Sequence, residues 1–266
     1  MKSLFVIFLF LIFIPSSHSI TDESIIKNNV GWVEKLGDKI YFDAKVTNQN
    51  NVTKKLGQFI SKDKPTVFVL SYYSCPKMCT FLLDGTLEVV NSSDKIRPGR
   101  DYNLVTLSFD VIDNHLTSKA KEVRYNKNLN SVNEQWSFYS SDSKNIKLIT
   151  DSVGFKFVPD GDEFAHPAGI IFLTKDGKIS RYLSGVLFDP KDFKLALLEA
   201  SDGVIGESTL KDKVLLYCYG FDPVGKKYAI KALNVVKLSG GITLILVVIF
   251  MIFMWLKRDN NKEGRN

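Results

Sequence analysis

The sequence predicts an α/β sandwich, a thioredoxin-like fold with an N-terminal β-hairpin extension, plus a C-terminal transmembrane helix. Three observations predict it. Strand and helix signals alternate through the middle of the chain. A β-hairpin and a last helix follow them. Residues 239–256, "SGGITLILVVIFMIFMWL", then form an uncharged apolar run.

The elements follow in order. An early hairpin pairs about residues 39–46 with 52–59. Residues 67–73, "VFVLSYY", read as a buried strand. Residues 78–90 carry Phe81, Leu82, Leu87 and Val90 at helical spacing. Residues 102–109, "YNLVTLSF", form a second strand, and a polar amphipathic helix covers about 116–128. Residues 136–139 read as a short strand and 145–153 as a helix ended by Gly154. Residues 170–174 and 179–183 flank Lys175-Asp176-Gly177-Lys178, whose Asp-Gly step marks a β-hairpin. Asp189 caps a helix that runs to about Ala200. Strand–helix–strand, then hairpin, then helix is the thioredoxin-like order.

The ends of the chain set its compartment. Lys2 precedes an apolar run, residues 4–14, then Pro15 and Ser16-Ser17-His18-Ser19. This reads as a signal peptide over residues 1–19, with a retained N-terminal anchor as the alternative. Residues 239–256 are long enough to span a bilayer, and Trp255 sits at their edge as an interfacial anchor. Lysines lie before the run at Lys226, Lys227, Lys231 and Lys237, and basic residues follow it at Lys257, Arg258, Lys262 and Arg265. Charge therefore sets orientation weakly, and the signal peptide decides it. Residues 20–237 are expected in the periplasm or an equivalent space. The helix would cross the inner membrane once, leaving 257–266 as a cytoplasmic tail.

About 220 residues remain for one domain, by the usual size range. The formal charge of +6 is mild and the lysines are scattered. No aromatic-basic repeat accompanies them, so nucleic acid is not an expected partner.

The chemistry concentrates in "SYYSCPKMCT", residues 71–80, which holds Cys75 and Cys79. Placed after the first strand, Cys75 meets the unpaired N–H groups and dipole of a helix start, which favour a thiolate. If both cysteines share one helical turn, their Cβ atoms stand about 5–6 Å apart. A disulfide wants about 3.5–4.5 Å. The spacing thus favours a metal, and a stabilising or redox disulfide stays open for a distorted turn. Of the three histidines, His18 belongs to the signal peptide and His115 to a polar stretch. His166, in "EFAHPAGIIFL", precedes the hairpin strand that passes beside the cysteine helix and is the natural third ligand. Two thiolates and one imidazole suit Cu(I), and Cu(II) with an added oxygen ligand. Zinc would need a fourth ligand, from His115 or Asp110. Met78 packs over or adds to the site, and Tyr72 and Tyr73 wall it, one facing core and one solvent. Cys218, in "LLYCYGFD", reads as a buried free thiol.

At these residues the chain resembles the Sco/SenC family of copper proteins, in a bacterial subset with a C-terminal anchor. Tyr72 to Cys79 looks like the family's cysteine motif, Leu107-Ser108-Phe109-Asp110 like its acidic strand end, and Phe164-Ala165-His166-Pro167-Ala168-Gly169 like its histidine motif. The likeness covers about residues 31–228. Thr80 and Val111 stand where many members have proline. The resemblance implies copper held by Cys75, Cys79 and His166, with Asp110, Met78 and Tyr73 in the surrounding shell or as an extra ligand. It implies a metallochaperone for the binuclear copper centre of cytochrome c oxidase subunit II. Other copper chaperones or thioredoxin-like reductants are further expected partners. The alternative is a thiol-disulfide oxidoreductase that uses Cys75 and Cys79 to reduce the acceptor's cysteines. A peroxidase is disfavoured, since no Thr-x-x-Cys pattern occurs. Pro167, just before the strand facing the cysteine helix, is expected to be cis.

Overall fold

The computed structural model describes residues 29–60, 62–75, 78–92, 95–130, 135–201, 219–222 and 227–263. The signal-peptide reading and Cys218 lie outside the described residues.

A seven-stranded mixed sheet organises the chain. Its strands are β2 (Lys45–Asn48), β3 (Thr53–Lys55), β4 (Thr66–Ser71), β5 (Asn103–Ser108), β6 (Trp136–Ser140), β10 (Gly169–Leu173) and β11 (Ile179–Ser184). They lie in the order β11-β10-β4-β5-β6-β2-β3. β4, β5 and β6 are parallel. β10 runs antiparallel to both β4 and β11, which leaves β11 parallel to β4. This is the thioredoxin-like arrangement that the order of elements predicts.

Both faces of the sheet are covered, so its central strands are buried throughout. β4 and β10 have every residue buried. Period-two alternation sorts their side chains. Val67 and Val69 join Trp136, Phe138 and Phe172 on one face, under helices α2 (Met78–Asn91), α3 (His115–Asn126) and α5 (Pro190–Ala200). Phe68, Leu70, Val105 and Leu107 join Ile146, Ile149 and Val153 on the other, under α4 (Ser143–Ser152).

The helix starts obey their sequence signals. Asn114, Asp142 and Asp189 each cap a helix by accepting from backbone N–H groups. Gly154 ends α4 at φ 64°, and a Cβ there would fall 1.9 Å from the Val33 carbonyl oxygen. Only glycine fits that turn.

The N-terminal hairpin is shorter than expected. β2 and β3 pair antiparallel, but residues 56–59 turn into a short helix, α1 (Leu56–Phe59). Gln58 accepts from the Lys55 N–H at 3.1 Å and Leu56 is buried, which together stop the strand. β2 also pairs with β6, so the hairpin extends the main sheet.

Three small pairings were not legible in the pattern. β1 (Gly31–Trp32) pairs with β7 (Phe155–Lys156). β8 (Val158–Asp160) pairs with β9 (Glu163–Ala165). β12 (Tyr219–Asp222) pairs with β13 (Lys227–Ile230). A long helix, α6 (Ala232–Glu263), follows, and its stretch Ala232–Trp255 is long and apolar enough to cross a membrane.

Candidate functional site

β4 and β5 deliver their last residues to one edge of the sheet, the edge where open α/β sheets place their sites. From Ser71 the chain runs through Tyr72, Tyr73 and Ser74 to Cys75. Cys75 stands ahead of α2, whose first described residue is Met78. Cys75 itself is not helical. The Cys79 N–H donates to Cys75 Sγ at 3.3 Å, as the first N–H groups of a helix do toward a capping side chain. Both cysteines are buried.

Cys79 lies in the first turn of α2, 1% exposed. The Tyr72 N–H donates to its Sγ at 3.5 Å. Burial pushes the Cys79 thiol up to about 12, so it keeps its proton at neutral pH. Its sulfur lies 3.5 Å from His166 Nε2.

His166 is oriented by its own backbone. Nδ1 lies 3.0 Å from the Pro167 carbonyl oxygen. A carbonyl only accepts, so Nδ1 carries the proton and the Nε2 lone pair faces Cys79. Burial also lowers the ring's pKa below its usual 6.5, which keeps it neutral. A neutral imidazole whose far N–H is bound to a carbonyl is the arrangement that metal-binding histidines use.

The His166–Pro167 bond is trans, against expectation. Trans is the cheaper isomer by about 0.5–1 kcal/mol. The loop makes its close approach at Gly169 instead, where a Cβ would fall 2.6 Å from the Leu183 carbonyl oxygen.

Aromatic rings enclose the imidazole. Tyr72 meets it edge-on at 5.9 Å and Phe109 at 5.1 Å between centroids. Phe164, carried by β9, packs on both Tyr72 and Phe109. Phe109 and Phe164 escaped the sequence reading as site residues. The signals were present: Phe109 continues the Val105–Leu107 face, and Phe164 lies two residues from His166. Beyond these rings lies an open cavity of about 460 Å³, with Phe155 and Phe157 in its wall and Lys147 and Lys156 among its polar lining.

The other expected residues are dispersed. Tyr72 and Tyr73 are both buried, because helices cover both faces of the sheet. Tyr73 points away from His166, and its hydroxyl donates to the Tyr139 carbonyl at 2.6 Å. Its N–H donates to Asp113 Oδ2 at 2.7 Å. Asp110 is buried, with Oδ1 accepting from the Ile112 N–H at 3.1 Å in a local turn. Met78 is half exposed at the start of α2. His115 opens α3, and no hydrogen bond or ring contact joins it to the cysteines among the described residues. Among those residues no three His, Cys, Asp or Glu side chains converge as a ready-made metal cluster. What the structure brings together is a chain of pairs, Cys75 to Cys79 to His166.

No family model and no curated protein sequence matches the chain. Solved structures do. A candidate electron transfer protein of Aquifex aeolicus is 23% identical, with TM-score 0.56, covering 63% of this chain and 95% of its own. A candidate electron transport protein of the same organism is 21% identical, with TM-score 0.54, covering 63% and 99%. Sco-family structures are among the neighbours. ScoI of Bradyrhizobium japonicum with copper bound is 22% identical, with TM-score 0.42, covering 64% and 100%. At these identities the likeness speaks for the fold.

Proposed function

We propose that this chain is a membrane-anchored, Sco-type copper metallochaperone, with copper as its cargo. The observation that carries the reading is the pairing of the Cys79 sulfur with His166 Nε2 at 3.5 Å, with Cys75 Sγ 3.3 Å from the Cys79 N–H. The donor set fits. Two sulfurs and one oriented, neutral imidazole form a soft set suited to Cu(I), with the nitrogen favouring Cu(II). Both thiols release their protons as the metal enters. The aromatic wall half-buries the imidazole. A zinc site would want a fourth protein ligand, and Asp110 and His115 are both engaged elsewhere or apart from the pair.

In this reading residues 20–237 form the functional domain on the periplasmic side of the inner membrane. Residues 239–256 anchor it, 257–266 face the cytoplasm, and 1–19 direct export. The acceptor is the binuclear copper centre of cytochrome c oxidase subunit II. ScoI of Bradyrhizobium japonicum holds copper on the same type of fold, which supports the cargo without fixing the acceptor.

The second reading, a thiol-disulfide oxidoreductase, is favoured by one observation: Cys75 Sγ lies 3.3 Å from the backbone N–H of Cys79, so the two cysteines are close neighbours in space. The dithiol would pass two electrons and two protons to a disulfide of the acceptor and become oxidised itself.

One variant separates the two. His166→Ala leaves both thiols in place, so dithiol–disulfide cycling persists. Cu(II) binding is strongly weakened and Cu(I) binding less so. In cells the chaperone reading expects loss of oxidase copper, only partly restored by added copper. Normal oxidase copper with His166→Ala, alongside total loss with Cys75→Ala, would overturn it in favour of the reductase.

A further inference from the structure

The direction in which the site faces follows from strand polarity. β11 runs parallel to β4, so Ser184 and Ser71 end at the same edge of the sheet. α5, capped by Asp189, therefore starts at the site end. β13 crosses the first turn of α5. The Tyr228 N–H donates to Asp192 Oδ1 at 3.3 Å. Tyr219, paired with Ile230, carries Lys191 Nζ 4.4 Å above its ring. Ile230 thus ends β13 beside the first turn of α5.

α6 then begins after a single residue, Lys231. One residue reaches only about 3.5 Å. The apolar stretch Ala232–Trp255 accordingly leaves the domain at the site end, with no linker to swing it elsewhere.

That end is also apolar on its outside. Met78 and Phe81 in the first turn of α2, Val111 and Ile112 after β5, Leu187 before α5 and Ile230 are 49%, 60%, 56%, 71%, 75% and 62% exposed. Lys191, four residues after Leu187, Lys231, next to Ile230, and Lys237, in the opening turns of α6, are exposed as well. An apolar collar of this kind on a folded domain marks an interaction surface. Apolar side chains rimmed by lysines suit the boundary between acyl chains and anionic headgroups.

We propose that this collar rests on the lipid bilayer that α6 enters, so that Cys75, Cys79 and His166 lie at the membrane surface. The tether holds the collar at the bilayer at high effective concentration, which a freely diffusing protein partner would lack. Whatever exchanges with the site must then present its accepting groups at the lipid interface. The proposal rests on α6 crossing a membrane, and the test separates that premise.

The test uses the full-length chain in vesicles of phosphatidylethanolamine and phosphatidylglycerol, with and without bromine on the acyl chains. Ile112→Trp adds a fluorophore in the collar. Leu36→Trp adds one at the opposite end, beside the start of β11, where the Gly37 N–H meets the Ile179 carbonyl. Both sites are exposed, so folding is preserved, and Phe81→Trp repeats the collar measurement independently. The expected result is loss of about half of the added Ile112→Trp and Phe81→Trp emission on brominated lipid, the depth at which interfacial side chains sit, with Leu36→Trp unchanged. Collar emission that ignores bromine but is quenched by aqueous acrylamide as fully as Leu36→Trp would overturn the proposal, as would capture of the collar by a protein that shields it from bromine. Carbonate extraction of the same vesicles checks the anchor. Release of the chain overturns the premise, whereas retention with unquenched collar variants overturns the lipid surface alone. Thiol titration of the sample reads the cysteine pair separately.

Discussion

Cys79 and His166 meet because a helix start and a hairpin entrance converge on one edge of the sheet. Burial at that edge has a consequence for the thiol. Alkylating reagents attack the thiolate, and burial holds the Cys79 thiol up to about 12 against an ordinary value of 9.0. At pH 8 the folded chain should therefore label with iodoacetamide at Cys79 roughly a thousandfold more slowly than the unfolded chain, a factor of ten per pKa unit. Mass spectrometry of the Cys79 peptide after a brief pulse, with and without denaturant, reads this. Equal rates would show that the sulfur is exposed or ionised. That Cys75, Cys79 and His166 come together was legible in the sequence, through the motifs that surround them. Their geometry was not. Whether Cys75 belongs to the helix or precedes it depends on where the chain turns after β4, and spacing alone does not fix that. Tyr73 was misplaced because alternation sends neighbours to opposite faces, while only tertiary packing says that both faces are covered. Phe109 and Phe164 went unnoticed because apolar residues at strand ends serve core and site alike.

The elements were read more securely than their edges. Long periodic segments such as α2 and β4 stand close to where the pattern put them. The hairpin of β2 and β3 ends at Lys55, because the Gln58 contact to the Lys55 N–H and the buried Leu56 turn residues 56–59 into a helix. Pairs of two or three residues, such as β8 and β9, carry too little pattern to be recognised, yet β9 brings Phe164 to the site. The cap at Asp189 stands where the sequence put it, and the caps at Asn114 and Asp142 were not read; the last supports a prediction. Asp142 accepts from the Asn145 N–H at 2.9 Å at the start of α4. That hydrogen bond holds its carboxyl below the ordinary 3.8. A depressed acid contributes stability that is present above its unfolded pKa and lost as pH falls through the folded one. Asp142→Ala should cost about 1 kcal/mol at neutral pH, typical of a lost N-cap. The gap to the parent chain should close below pH 3.8, where the parent loses the same charge. Urea unfolding at pH 7 and at about pH 3, read by far-ultraviolet circular dichroism, measures both. A gap that persists unchanged in acid would mean that the side chain acts by packing and not by charge.

At the scale of the whole molecule, two cores on either side of one sheet fix the site, and a helix that begins one residue after β13 fixes where the site stands. Composition and length revealed the apolar run but not the end of the domain from which it leaves, because that depends on how β12 and β13 cross α5. The separation between cargo binding and cargo delivery follows from this. In the proposed reading, binding needs Cys75, Cys79 and His166, all within the folded domain, and delivery to a membrane-bound acceptor also needs the site held at the bilayer. Inserting about twenty residues of Gly and Ser between Lys231 and Ala232 lets the domain wander by roughly 25 Å, the root-mean-square span of such a flexible chain. The anchor, the thiols and the collar remain intact. Copper bound per chain should be unchanged, and carbonate extraction should still leave the protein in the membrane. Oxidase copper content in cells should fall, because the effective concentration of the site at the membrane surface drops with the added volume it explores. Shortening the insert to two or three residues should restore it. Full oxidase copper with the long insert would mean that delivery does not depend on the membrane-facing geometry, and that the position of α6 serves only to retain the domain.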